Sequence, residues 1–156
     1  ICMPLWSAFT EAYVKKDFIW IRNIIKKMLI VFVFWILVGG IMLIGSNTIY
    51  GLWTGMELNI PYSLSAVVYL FMLTCCWNGI FIAFINGIGK IQLQVLLSIL
   101  PILLMLPLSK LLISVFHFGV TGIVLCMLLF NIISSLMISI QVWKILRGTD
   151  RGIWAK

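Results

Sequence analysis

Charge is scarce in this sequence, and negative charge is scarcest. Charged residues make up 10% of the chain, against about 25% in soluble domains. Four stretches carry no charge at all: Met28–Met56, Leu58–Gly89, Ile91–Ser109 and Leu111–Trp143. A soluble domain of this length cannot hide that much uninterrupted apolar chain. The four acids stand apart from one another, and the single histidine, His117, has no second ligand near it. No His–Glu pair and no paired-acid spacing occurs, so nothing here serves general acid–base or metal chemistry. Enzymatic activity, a metal and a cofactor are therefore not expected of this chain. A carbonyl-filter sequence and a ring-forming charge are also missing, which weighs against a channel.

Other absences are equally informative. The cysteines Cys2, Cys75, Cys76 and Cys126 lack the C-x-x-C spacing of a redox or zinc site and read as small hydrophobes. Asn86-Gly-Ile-Gly-Lys90 is not a phosphate loop, because Phe84 and Ile91 stand where Gly and Ser or Thr belong. It reads as a tight turn. Polar/apolar alternation is missing from the uncharged runs, which excludes a membrane β-barrel. The chain opens without an initiator Met, a charged n-region or a cleavage site, so it reads as the C-terminal piece of a longer protein.

What is present is oil. Apolar residues reach 63%. A helix needs about 20 apolar residues to cross the hydrocarbon. The expectation is an all-α membrane protein, a polytopic bundle of four complete spans near 28–44, 62–85, 91–112 and 120–142. Residues 1–13 read as the end of a fifth span, with Pro4 tolerated as a kink. Residues 14–27 read as an interfacial amphipathic helix, with Phe18, Ile21, Ile25 and Met28 on one face. Its Lys15, Lys16, Arg22, Lys26 and Lys27 are assigned to lipid headgroups. Residues 47–61 read as a loop.

Polar groups within the spans are the candidate functional residues. Asn78 needs a partner in hydrocarbon, so it either bonds a neighbouring helix or faces a wet cavity. Asn131, Ser135 and Ser139 recur at i, i+4 and i+8 and should face other helices, with Asn131 and Ser135 joining Asn78 as candidates to line a cavity. Pro101 and Pro107 interrupt the third span, as a fixed kink or as a hinge. Lys110 either faces the cavity or snorkels to the outer surface. Gly39 and Gly40 serve packing or a hinge.

The net charge of +7 points to membrane topology, and no nucleic-acid partner is expected. Ten of the eleven basic residues fall on one side of a four-span layout: Lys15, Lys16, Arg22, Lys26, Lys27, Lys90, Lys144, Arg147, Arg151 and Lys156. Lys110 falls toward the other, with Glu57 and His117. The basic side, with the elbow and the tail 144–156, is therefore expected to be cytoplasmic.

Three stretches carry a resemblance. Pro4-Leu-Trp-Ser-Ala-Phe-Thr-Glu-Ala-Tyr with the following Lys15-Lys16-Asp17 comes first, then Asn86-Gly-Ile-Gly-Lys-Ile-Gln-Leu-Gln, then Phe118-Gly-Val-Thr-Gly-Ile. In this order they resemble the polysaccharide transporter (O-antigen flippase) family of the multidrug/oligosaccharidyl-lipid/polysaccharide exporter superfamily. The resemblance implies one part of a two-half transporter around a central cavity. It implies transport of a lipid-linked oligosaccharide across the bacterial inner membrane by alternating access. Implied partners are membrane lipids, that substrate, the N-terminal half of the same protein and polysaccharide assembly proteins. The same superfamily contains drug/cation antiporters, and a non-transporting membrane scaffold is a third reading. Antiporters of this kind commonly use an acid within the membrane, and the complete spans hold none.

Overall fold

A computed structural model of the chain describes residues 5–55, 60–149 and 151–155. Cys2, Pro4, Glu57 and Lys156, each assigned a role above, lie outside the described residues. Among the described residues six helices form: α1 (Leu5–Val14), α2 (Phe18–Ile44), α3 (Ser46–Thr54), α4 (Tyr62–Ile88), α5 (Gln92–Ser114) and α6 (Val120–Leu146). A short 3-10 turn, Gly152–Ala155, follows. Helices α2, α4, α5 and α6 are each long and apolar enough to cross a membrane. The protein is an all-α, polytopic helix bundle.

The expected break at Met28 is absent. Asp17 accepts a hydrogen bond from the Trp20 amide at 2.9 Å and starts α2, which then runs unbroken to Ile44. The reason is continuity of one buried face: Ile21 and Ile25 are buried, and Met28, Leu29 and Phe32 extend the same packing. The basic segment is thus the base of the first span helix. At about 1.5 Å per residue α2 is about 40 Å long, longer than the roughly 30 Å hydrocarbon layer. That excess length lets its first turns, with Arg22, Lys26 and Lys27, reach beyond such a layer. The elbow itself is the turn at Lys15–Asp17, where Lys16 takes a positive φ of 57°. The region expected as a loop contains α3, held where Tyr50 and Ser65 share a hydrogen bond of 3.1 Å.

Helix α4 is the centre of the bundle, packed by α1, α2 and α6, while α5 packs on α6. The densest core lies toward its C-terminal end. Phe9 of α1 is fully buried there, edge-on to Phe84 at 5.5 Å and to Trp20 at 6.0 Å. Gly87 permits this approach: a Cβ there would lie 2.9 Å from Phe9 Cβ and 3.0 Å from the Trp6 carbonyl. Thr10 seals the contact by donating to the Gly87 carbonyl. Toward the other end, Tyr69 donates to the Ile36 carbonyl at 2.7 Å, and its ring lies over Gly39. A Cβ at Gly39 would meet that ring at 2.5 Å, so this glycine serves packing, within an unbroken helix.

The helix directions gather positive charge at one end. Arg22 Nη2 donates to the Leu146 carbonyl at 2.8 Å, Lys90 Nζ lies 5.7 Å from the Tyr13 ring, and Gln141 reaches the Lys90 carbonyl at 3.2 Å. The starts of α2 and α5 and the ends of α4 and α6 therefore share this end. Lys110 and His117 lie along or beyond α5, toward the opposite end. Outward-facing surfaces are apolar, including Phe34, Leu37 and Ile41 on α2 and Ile102, Leu103 and Leu106 on α5. Such surfaces suit lipid tails.

Candidate functional site

One hollow among the helices is walled by polar groups. It lies between α4, α5 and α6, has a volume of about 370 Å³, and is lined by Asn78, Asn131, Ser134, Gln94, Ser98 and Pro101 among others. Phe71, Ile82, Met105, Met127 and Phe130 line the rest, and the hollow is open on the side where Ser98 and Met127 are exposed. Asn78 and Asn131 sit many residues from either end of their helices. These two amides therefore lie deep within the span, where burying an amide without partners is costly, whereas Gln94 stands in the first turn of α5.

Helical spacing accounts for the α6 contribution. Asn131 and Ser134 are three residues apart and share the face turned to α4. Asn131 Nδ2 donates to Cys75 Sγ at 2.8 Å. Asn78 Nδ2 donates to Asn131 Oδ1 at 3.5 Å and to Ser134 Oγ at 3.4 Å. Both bonds of Asn78 are long and hence weak. Its Oδ1 is buried and accepts no hydrogen bond from the described residues, and the same holds for Gln94 Oε1. The two readings of Asn78 thus combine: its nitrogen ties α4 to α6, and its residue lines the cavity.

Ser135 and Ser139 do something else. Ser135 is buried and donates to the Ile132 carbonyl at 3.0 Å. Ser139 accepts from Trp77 Nε1 at 3.0 Å and donates to the Ser135 carbonyl at 2.6 Å. Ser139 thus fastens α6 to α4, Ser135 bonds within its own helix, and neither lines the cavity. Pro101 does line it. Proline has no N–H, so the Leu97 carbonyl, in the same wall, receives no i+4 bond. Pro107 is exposed, and near it Ser109 Oγ donates to the Met105 carbonyl at 2.5 Å. Lys110 is exposed on α5 and is absent from the cavity wall.

The residues assigned to lipid headgroups divide into two sets. Lys16, Lys26 and Lys27 are exposed at the basic end. Lys15 is also exposed but pairs with Glu11 at 2.6 Å, and Arg22 is engaged with the end of α6. The polar residues not singled out from the sequence are Gln94, Ser98 and Ser134. Gln94 carried a usable signal, as an amide just inside an uncharged run. The serines carried none, since a serine can bond its own helix, as Ser98 does to the Val95 carbonyl. Among the described residues no group of three or more His, Cys, Asp or Glu could hold a metal ion.

Chemically, the cavity offers neutral carboxamides and hydroxyls with spare acceptor capacity. It can hold groups that donate hydrogen bonds. It holds no fixed charge in its wall. No protein-family model, no curated protein and no solved structure matches the chain.

Proposed function

We propose that this chain is part of a membrane transporter that moves a lipid-linked oligosaccharide or polysaccharide precursor across the bacterial inner membrane by alternating access. The observation that carries the reading is the hollow of about 370 Å³ between α4, α5 and α6, whose wall includes Asn78 and Gln94, each with a buried oxygen that accepts no hydrogen bond from the described residues. Each unmade bond costs about 1–3 kcal/mol. A bundle selected for stability alone gains nothing from two of them. A sugar supplies hydroxyl donors to such acceptors, and neutral amides receive them without a counter-ion. The wall beside them is α5, a continuous helix with two prolines inside it, and Pro-containing spans are a pointer to substrate sites in transporters. The sequence resemblance points to the same cargo. The uncharged wall leaves the pyrophosphate to a facing half of the transporter.

The basic end would face the cytoplasm, where anionic lipid surrounds Lys16, Lys26 and Lys27. A carboxylate-coupled drug antiporter fits less well, because α4, α5 and α6 contain no Asp or Glu. Reconstitution of the full-length protein in vesicles tests the proposal. Lipid-linked oligosaccharide should become accessible across the bilayer at a rate proportional to the protein added. A rate equal to that of protein-free vesicles removes the reading.

A further inference from the structure

Another hollow has an apolar wall. It has a volume of about 240 Å³ and lies where α1, α2 and α4 meet, with Leu5, Met28, Val31, Trp35, Cys76 and Gly79 among its lining. Two small residues give it depth: Cys76 is exposed, and a Cβ at Gly79 would meet nothing within 4 Å. Val31 and Trp35 are exposed as well, so the hollow is a groove open on the outer surface of the bundle. Helices α2 and α4 are both long and apolar enough to cross a membrane, so this surface suits lipid. A groove left unfilled there forfeits the dispersion contacts of its wall.

Its place along α2 fits one leaflet. From Met28 to Trp35 the groove extends about 10 Å, at about 1.5 Å per residue. Half of a hydrocarbon layer is about 15 Å deep. The groove begins one residue after Lys27, which is exposed. Lys27 and Val31 stand at i and i+4, on one side of α2. A lysine stem lies along apolar surface and holds its ammonium at the level of the headgroups. Neighbouring cations are turned away or engaged. Lys26 stands about 100° further round the helix, away from the groove. Arg22 donates to the Leu146 carbonyl, and Lys15 pairs with Glu11. A separate hollow at the elbow is lined by Glu11 and Asp17 beside Lys15 and Trp20. Those two acids repel a phosphate. One cation, Lys27, therefore stands at the mouth of the groove.

We infer that the groove between α1, α2 and α4 seats one acyl chain of an anionic phospholipid whose phosphate is held by Lys27. Lys27 Nζ donates to the phosphate, and the chain runs from Met28 past Val31 and Gly79 toward Trp35. A zwitterionic choline head brings its own cation beside Lys27 and binds less well. The ligand is a lipid of the bilayer itself. The site is separate from the polar hollow at Asn78 and stands whether or not the cargo proposed above is correct.

Cys76 reports occupancy of the groove. The protein is purified in detergent with Cys2, Cys75 and Cys126 replaced by Ser, and N-ethylmaleimide labels the remaining thiol. Phosphatidylglycerol added to the micelles should slow labelling about fivefold, and phosphatidylcholine at the same mole fraction by less than about twofold. Lys27→Gln should bring the phosphatidylglycerol rate to the phosphatidylcholine rate, while Lys26→Gln should keep the difference. With Cys76 also replaced by Ser, a thiol introduced by Ile102→Cys on the exposed side of α5 should respond alike to both lipids. Gly79→Leu, which fills the groove, should remove one tightly retained phosphatidylglycerol from the mass spectrum of the intact complex. Equal protection of Cys76 by the two lipids overturns the inference, since any acyl chain then suffices. So does an equal effect of Lys26→Gln, which would mean diffuse attraction to the basic end. Protection that grows with protein concentration in lipid-free micelles also overturns it, and gives the groove to a second copy of the chain.

Discussion

Asn78 has an unusual position: a deeply placed amide whose nitrogen is weakly bonded and whose oxygen accepts nothing from the described residues. Replacing it by Leu removes an unpaired acceptor and two long hydrogen bonds of 3.4 and 3.5 Å. The unpaired acceptor is relieved while Asn131 Oδ1 loses a long, weak donor, so the two changes largely offset, to within about 1 kcal/mol. Asn78→Leu should therefore leave the melting temperature in detergent within a few degrees while lowering the vesicle transport rate about tenfold or more. Proportional loss of folded protein would make Asn78 a packing residue instead. Two glycines of the same helix give an opposite pair. A Cβ at Gly87 meets the Trp6 carbonyl and Phe9, so Gly87→Ala must push α1 outward, at about 1–3 kcal/mol. A Cβ at Gly79 meets nothing within 4 Å. Gly79→Ala should be neutral or stabilising, by up to about 1 kcal/mol from helix propensity. Unfolding of the two variants side by side in denaturant measures the difference.

The two prolines of α5 separate in the same way once their surroundings are known. Pro101 and Leu97 share the cavity wall, whereas Pro107 is exposed. Pro101→Ala restores a hydrogen bond to the Leu97 carbonyl at the polar site and stiffens the helix there. It should slow transport several-fold and raise thermal stability, while Pro107→Ala should change transport by less than about twofold. Equal, unchanged rates in both would make the bends static. The pair also shows what one sequence can and cannot reveal. The spans were legible because charge is excluded from hydrocarbon whatever the packing. The start of α2 was not, because charge marks where water begins and says nothing about where helical hydrogen bonding begins. Helix α3 was missed for a related reason: its Ser, Asn and Gly read as loop, while the buried Ser46 and the Tyr50–Ser65 bond come from tertiary contact. Asn78 and Asn131 could be seen as residues in need of partners. That they meet each other, and that Gln94 joins them while Ser135 and Lys110 do not, depends on which faces of three helices oppose. A single chain does not state that.

For the molecule as a whole, the gathering of positive charge at one end is the property that relates the bundle to its membrane. Ten of eleven basic residues belong to that side by sequence, and the contacts among Arg22, Leu146, Lys90 and Gln141 bring its elements together. The charges are not equivalent. Lys16, Lys26 and Lys27 are exposed, Lys15 already has Glu11, and Arg22 holds the end of α6. Near an anionic leaflet each free lysine contributes about 1 kcal/mol of attraction, screened by salt. Changing Lys16, Lys26 and Lys27 together to Gln should weaken association with anionic lipid without disturbing the fold. It should not invert the protein, because seven basic residues stay on that side against Lys110 on the other, and orientation follows the difference between sides. A reporter fused after Lys156 should remain active only when cytoplasmic, in the parent and in the triple variant alike. Arg22→Gln should behave differently from the lysine changes: it releases the Leu146 carbonyl, so it should lower thermal stability by about 1 kcal/mol and leave lipid selectivity nearly as before. A mixed reporter orientation in the triple variant would locate the orienting signal in the first turns of α2 alone. A uniform cytoplasmic signal locates it in the basic end as a unit, built by the elbow, the α4–α5 turn and the end of α6.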